Sequence, residues 1–387
     1  MRRYQLSLIP FLMLLEHEGR KMLLTPGPTA VPEFVRAAMA TETLHHRTPE
    51  FEAIFEKTRK LLLEILDMPE AVMIASSGTG AMEACITNLT HSKALTINAG
   101  KFGQRFGKIC EAFNLPYTEL VHEWNTPMSV EEVVNTIKAD DKIDAIFIQV
   151  CESAGGLRHP VEQIAAAVKA INPSISIIAD GITAVGVEKI DTTNIDALIT
   201  GSQKALMLPP GLSMIGFSND AVAKIEKKPA GYYLNLLSEI KKQKQNTTAY
   251  TAATTLIIGL GEILGKLKAD GFDKLYSNTA LRAESTRDAL KAIGLEVYPH
   301  TPANAMTTIY CEDSNAIRKT LKEKYDLNIA GGQDHLKGKI FRINHMGLVA
   351  DFEASWAVNA IEKAMDDLGI RTFDGTANKV FMQGMFK

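Results

Sequence analysis

The sequence predicts an α/β protein built on a mostly parallel sheet, and two observations carry that expectation. Short β-branched or apolar runs alternate with amphipathic, helix-like stretches between residues 71 and 202. That order lays strands side by side with helices on both faces. After about residue 255 the alternation stops and a long helical tract begins, which marks a smaller α+β unit.

In order, "AVMIAS" (71–76) leads into "GAMEACITNL", and "KALTINA" (93–99) leads into "GQRFGKICEAFN". "SVEEVVNTIKA" precedes "DAIFIQV" (144–150), and "VEQIAAAVKAI" separates that run from "ISIIAD" (175–180). "DALITGS" (196–202) and "LSMIGFS" (212–218) then follow too closely for a helical crossover, which leaves an antiparallel return open there. Beyond them "TTLIIGLGEILGKLKADGFDKLYSNTALRAESTRDALKAI" reads as helix, "LEVYPH" and "MTTIYCE" as strands, and "ASWAVNAIEKAMDDL" as a closing helix. The expected division is an N-terminal extension over residues 1–24, a large domain over 25–260 and a small C-terminal domain over 261–387.

The 387 residues are enough for a full core and two domains. With 46% hydrophobic and 22% charged residues the composition is that of an ordinary globular chain. A net charge of −3 offers no positive excess to draw the chain onto nucleic acid or an anionic membrane, so the expected partners are small molecules and further copies of the chain. Cys85, Cys110, Cys151 and Cys311 are scattered without a C-x-x-C pair. That argues against a metal site and for a reducing cytoplasm.

The opening "MRRYQLSLIPFLMLL" has a basic start and an apolar run that superficially resemble a secretory signal. "EHEGRK" follows at once and no small-residue cleavage site appears, so a signal peptide is not expected. At roughly ten residues the run is also too short to span a bilayer. The reading adopted is a chain that starts at Met22, directly before "LLTPGP".

In doubly wound sheets ligands bind beyond the carboxyl ends of the strands, and the unusual residues of this chain gather there. "SGTGAMEA" follows the first run with small residues leading into a helix. Ser77, Gly78 and Thr79 there are either a cradle for a phosphate at a helix N-terminus or a tight turn with an N-cap. A dinucleotide fingerprint is disfavoured, because Glu83 stands where a third glycine belongs and the next run ends in Asn98 instead of an acid. Asp180 ends its run and can anchor a protonated ring nitrogen or cap the next turn. Ser153, in "CESAGG", is a hydrogen-bond donor or ordinary turn chemistry. Lys204, in "GSQKALMLPPG" (201–211), lies between an apolar run and two prolines. Either its stem packs on apolar surface while its amine reaches water, or the amine is buried for Schiff-base chemistry.

The ordered set "TPGP" (25–28), "HRTPEF" (46–51), "SSGTGAMEA" (76–84), "ESAGG" (152–156), "ADG" (179–181), "GSQKALMLPPG" and "GKIFRINHMG" (338–347) resembles the class V aminotransferase family. The similarity is greatest to alanine–glyoxylate and serine–pyruvate aminotransferases and runs from Leu23 to about Leu368. It implies pyridoxal-phosphate fold type I, with a seven-stranded, mostly parallel sheet and an active site shared across a homodimer. It further implies Lys204 as the Schiff-base lysine and Asp180 as the partner of the pyridinium nitrogen. Ser77, Gly78, Thr79 and Gln203 would hold the phosphate of pyridoxal 5'-phosphate, Ser153 the ring hydroxyl region, and Thr248 and Thr251 a neighbouring subunit's phosphate. Arg342 would bind the substrate carboxylate beside the Gly27 backbone. Two departures stand out: Phe102 occupies the place where relatives often stack tryptophan on the ring, and "ESAGG" replaces the hydroxyl-rich "ESSTG" type.

These residue types explain one another chemically. A neutral Lys204 forms the Schiff base and then moves a proton at the substrate α-carbon, Asp180 keeps the ring nitrogen protonated, and Arg342 recognises a planar carboxylate. The expected activity is a ping-pong transfer of an amino group from a small amino acid, such as alanine, serine or an aminophosphonate, to pyruvate or glyoxylate. A lyase or desulfurase of the same fold is the alternative, with Cys311 weighed as its thiol. A non-catalytic phosphate- or nucleotide-binding module is the alternative of another class. His46 and Arg47 are read either as approaching the substrate or as structural.

Overall fold

The apolar runs become strands in a computed structural model that describes residues 22–387. The expectations about a signal-like leader and a misplaced start rest on residues 1–21, outside the described residues. Seven strands form the large sheet: β1 (Glu70–Ile74), β2 (Lys93–Asn98), β3 (Tyr117–Val121), β4 (Ile143–Gln149), β5 (Ser176–Asp180), β6 (Ala197–Gly201) and β7 (Ser213–Phe217). Their order across the sheet is β1-β7-β6-β5-β4-β2-β3. β7 runs antiparallel to both neighbours, and the remaining pairs are parallel. Both the mostly parallel sheet and the antiparallel return agree with the sequence reading.

β3 is the strand that the apolar-run criterion passes over. It lies at the sheet edge, and "YTELV" has no fully buried residue. An edge strand of mixed polarity gives no continuous apolar signal.

Helices cover both faces, as alternation along each strand requires. Ile146 and Ile148 of β4 pack into a core shared with α1 (Pro49–Leu66), while Ala145 and Phe147 pack into the other core with α2 (Gly78–Leu89) and α3 (Gly103–Ala112). The first core also takes Leu260, Ile263, Leu264 and Leu267 of α4 (Thr254–Asp270), which straddles residue 260. Each fully buried aliphatic side chain contributes about 1.5–3 kcal/mol, so α4 is held along its length by the large-sheet core.

The C-terminal part begins with α5 (Phe272–Ala292) and carries a four-stranded antiparallel sheet of β8 (Glu296–Val297), β9 (Met306–Tyr310), β10 (Ala330–Gly331) and β11 (Ile340–Asn344), ordered β8-β9-β11-β10. Its own core joins Leu290 of α5, Phe341 and Ile343 of β11, and Phe381 near the C-terminus. Met22–Leu23 pairs in parallel with Leu327–Asn328, and Asn344 N–H donates to the Leu24 carbonyl at 2.9 Å. Residues 22–24 therefore lie on the small sheet, and the chain crosses from there to the large one through "TPGP". That crossing passes over the carboxyl ends of the large-sheet strands.

Candidate active site

Those ends open on a cavity of about 180 Å³ lined by Gly27, Pro28, Ser77, Gly78, Thr79, Phe102, Arg105, Cys151, Ser153, Asp180, Ile182, Thr183, Gln203 and Lys204. Residues far apart in sequence meet because each follows a strand that ends at the same rim.

The small residues after β1 start α2 abruptly, and Ser77 is its N-cap without a side-chain capping bond. The N-cap alternative for this hydroxyl is therefore not what the structure shows. Its oxygen and the first-turn N–H groups remain available to an anion at the positive end of the helix. Gln203 adds a buried Oε1 that has no hydrogen-bond partner among the described residues. Arg105 Nη1 donates to Thr79 Oγ1 at 2.8 Å. Arg105 escaped sequence reasoning: it stands inside the helix-like stretch "GQRFGKICEAFN", but an arginine near a helix start carries no signal of its own.

The lysine turn is laced to "TPGP". Thr29 N–H donates to the Gln203 carbonyl at 3.0 Å, and Thr29 Oγ1 to the Lys204 carbonyl at 2.7 Å. Lys204 Nζ donates to the Pro26 carbonyl. Gly27 has φ +96°, and a Cβ there would come within 2.6 Å of Lys204 Nζ, so only glycine fits. Burial lowers the Lys204 amine to about 8, with Arg342 adding to the fall and Asp180 opposing it. A substantial neutral fraction at physiological pH is what a nucleophilic amine needs.

Asp180 is 5% exposed. Its Oδ1 accepts from Ile182 N–H at 3.0 Å, so one oxygen caps the turn as the simpler alternative expected. Burial raises its carboxyl to about 6, while the Ile182 N–H, Arg105 and Lys204 hold it down. Phe102 presents its ring to the cavity with the Arg105 guanidinium 4.8 Å from the ring centroid. Arg342, in the middle of β11, reaches across the domain junction. Its Nη1 donates to the Ser153 carbonyl at 2.6 Å, and its Nη2 and Nε donate to the Gly331 carbonyl at 2.7 and 3.1 Å. Burial brings the guanidinium down to about 10, with Glu152 opposing. Ser153 is 3% exposed and meets Arg342 through its backbone.

Not every candidate comes together. Thr248 and Thr251 line a separate groove with Tyr233 and Tyr250, outside the cavity of their own chain. His46 and Arg47 sit at the surface, bonded to each other at 3.3 Å. Cys311 packs against the small-domain core and does not line the cavity. The thiol that does is Cys151, which burial pushes well up. It is therefore protonated at neutral pH and a poor nucleophile.

The sequence profile of the family described as aminotransferase class-V matches residues 29–334. An uncharacterized aminotransferase of Helicobacter pylori is 46% identical over 363 residues, spanning 94% of this chain and 98% of its own. The serine–glyoxylate aminotransferase of Hyphomicrobium methylovorum is 30% identical, with 90% of each chain covered. Among solved structures, an aspartate aminotransferase of subgroup IV from Thermus thermophilus superimposes with a TM-score of 0.84 at 28% identity, covering 89% of this chain and 99% of that one.

Proposed function

The chain belongs to the class V aminotransferases, and is thus a pyridoxal-phosphate-dependent aminotransferase; from that premise we propose that it moves an amino group from a small amino acid, alanine or serine, to pyruvate or glyoxylate. The observation that carries this reading is the meeting of a partly neutral lysine amine and a buried carboxylate in one cavity at the N-terminus of α2.

The residues present fit the cofactor. The uncapped start of α2 and the hydroxyls of Ser77 and Thr79 suit the phosphate group, while the buried Gln203 Oε1, an acceptor, suits a donor such as a water on that phosphate; Asp180 suits a protonated ring nitrogen; Phe102 suits the ring face; and Ser153 Oγ suits the ring hydroxyl. When bound, pyridoxal phosphate supplies an aldehyde that condenses with amines and a ring that draws electrons from the substrate α-carbon. The chain's own part is to position and to move protons. Lys204 Nζ takes the α-proton and returns it, Asp180 holds its negative charge against the ring nitrogen, and the Gly27 backbone keeps that side of the site narrow.

Arg342 receives the substrate carboxylate in this reading. Arg342→Lys should raise KM for the amino donor and lower kcat/KM by about tenfold to a hundredfold, because an ammonium cannot reproduce a bidentate fork. Cofactor absorbance should be unchanged. Steady-state kinetics beside a spectrum of the bound cofactor checks this.

Substrate choice is tested by an amino-donor panel in single half-reactions. Each donor is mixed with holoenzyme without an acceptor, and loss of the visible cofactor band is followed. Rapid loss with alanine or serine, and recovery with pyruvate or glyoxylate, is the expected result. No response to small donors sinks the assignment.

The enzyme is read as a cytoplasmic homodimer with shared sites. Thr248 and Thr251 stand in their groove beside the half-buried Tyr250 and the exposed Tyr232 and Tyr233 that pack on it, which gives a second copy an aromatic surface to meet. Mixing Lys204→Ala subunits with Thr251→Ala subunits should put both lesions in one composite site and restore the other. Hybrids no more active than either parent would remove the sharing. Among the described residues no helix is long and apolar enough to cross a membrane.

A further inference from the structure

Glu152 is a fully buried acid between Cys151 and Ser153, two residues that line the cavity, and the chemistry above gives it no task. Three backbone N–H groups converge on it: Phe102 at 3.0 Å and Gly103 at 2.8 Å donate to Oε2, and Ala154 at 2.9 Å donates to Oε1. The first two open α3, so the negative charge also faces the positive end of that helix. The start of α3 carries Phe102, whose ring lines the cavity. The turn after Glu152 carries Ser153, whose carbonyl takes Arg342 Nη1. One side chain therefore ties the ring platform of the large domain to the arginine of the small one. Resting on the reading of the cavity as a pyridoxal-phosphate site, we propose that Glu152, through its negative charge, is the positioning residue that keeps the Phe102 platform and the Arg342 carboxylate receptor in register.

The charge is kept against a penalty. Burial raises the acid to about 7; Asp180 of β5 adds to the rise, and the three N–H groups oppose it. Arg342 of β11 faces it with the opposite sign, Cys151 beside it is a neutral thiol, and Gly100 packs on it from the loop above. A folded-state value above that of free glutamate means that ionisation destabilises the fold as pH rises from the free value to about 7. An uncharged glutamine could turn only one oxygen toward these three donors, because its other terminal atom is itself an N–H donor. The glutamate is explained by what its charge holds, since hydrogen bonds to an ionised acceptor are roughly twice as strong as neutral ones.

Glu152→Gln keeps the volume, removes the charge and exchanges one of the two accepting oxygens for an N–H₂ donor. Hydrogen exchange over residues 99–106, the dissociation constant for pyridoxal phosphate and KM for the amino donor are compared in wild type and variant across neutral pH. The expected result at about pH 8 is faster exchange of the Phe102 and Gly103 amides and cofactor binding weaker by about tenfold. Donor KM should be raised, and the N–H left without an acceptor should lower the melting temperature modestly while faster exchange stays confined to the start of α3. These differences should shrink below about pH 6, where the wild-type acid is itself protonated.

Gly100→Ala is the second variant: its Cβ would fall 2.4 Å from Glu152 Cδ, so it displaces the acid while leaving it able to ionise. It should loosen the platform and retain the pH dependence, and it decides alone if Glu152→Gln does not fold. Exchange equal to wild type overturns the proposal, as does faster exchange with unchanged cofactor affinity and KM. A lowered melting temperature with exchange raised uniformly along the chain marks a merely structural role and also overturns it. A wild type that binds no pyridoxal phosphate overturns the reading of the cavity and the register claim together. The exchange comparison needs no cofactor, and so separates that failure from failure of the Glu152 contact.

Discussion

Lys204→Ala will give a protein without the visible absorbance of a lysine-bound cofactor, and turnover will fall roughly 10⁴-fold, the upper end for loss of a positioned base. The argument starts from burial. The Lys204 amine is screened from water at the cavity wall, which brings it down to about 8, so it is available both as nucleophile and as proton carrier. Borohydride reduction of the wild type followed by peptide mapping should place the label on Lys204, and a label elsewhere removes the assignment. The sign of the pH effect follows from the same shift. Only the neutral amine attacks an aldehyde, so the rate at which cofactor-free protein takes up pyridoxal phosphate should rise with pH through about 8 and level above it. A rate independent of pH would mean that Lys204 is not the attacking group.

Asp180→Asn should leave the cofactor bound and slow α-proton removal about a thousandfold, close to 4 kcal/mol of barrier. The carboxylate sits in a dry site with one oxygen committed to the Ile182 N–H, so its charge has little else to stabilise than a cation brought into the cavity. Asparagine keeps the volume but not the charge. Single-turnover rates decide: a rate within about threefold of wild type excludes the role. Burial lifts this acid to about 6 even with Arg105 and Lys204 holding it down, and a protonated ring nitrogen further favours the charged form. The wild-type rate should therefore fall only as pH drops to that value or below it. The variant should lack that acid limb.

The sheet was legible where apolar runs are continuous, because strands covered on both faces carry that pattern wherever they occur. It was not legible at β3, whose edge position lets Thr118 and Glu119 stand beside Tyr117 and Leu120 without a core to exclude them. For the site, Lys204, Asp180 and Ser77 were readable because each follows an apolar run, and strand ends are where an open sheet binds its ligands. Arg105 and Glu152 were not, although both stood in stretches already singled out. Their meaning comes from contacts made across the fold, Arg105 with Thr79 and Glu152 with the start of α3. Cys151 illustrates the reverse error. Attention went to Cys311 as the thiol to weigh, whereas the end of β4 brings Cys151 to the cavity.

The turn that carries Lys204 is buckled at its neck. Ser202 N–H donates to the Leu212 carbonyl at 2.9 Å, Leu208 N–H to the Ser202 carbonyl at 2.9 Å, and Ser202 Oγ to the Pro209 carbonyl at 2.7 Å. β7 then returns beside β6, with Ser213 opposite Gly201. A reactive amine on a slack loop would be diluted over the volume that the loop sweeps, at an effective concentration in the millimolar range. Clamped here, the backbone contributes no such sweep, and the amine explores only the reach of its four-carbon stem. Well-oriented groups held in this way attain effective concentrations of about 10⁵–10⁸ M. Lys204 would thus bring its amine back to the cavity by side-chain rotation, with no backbone rearrangement to wait for.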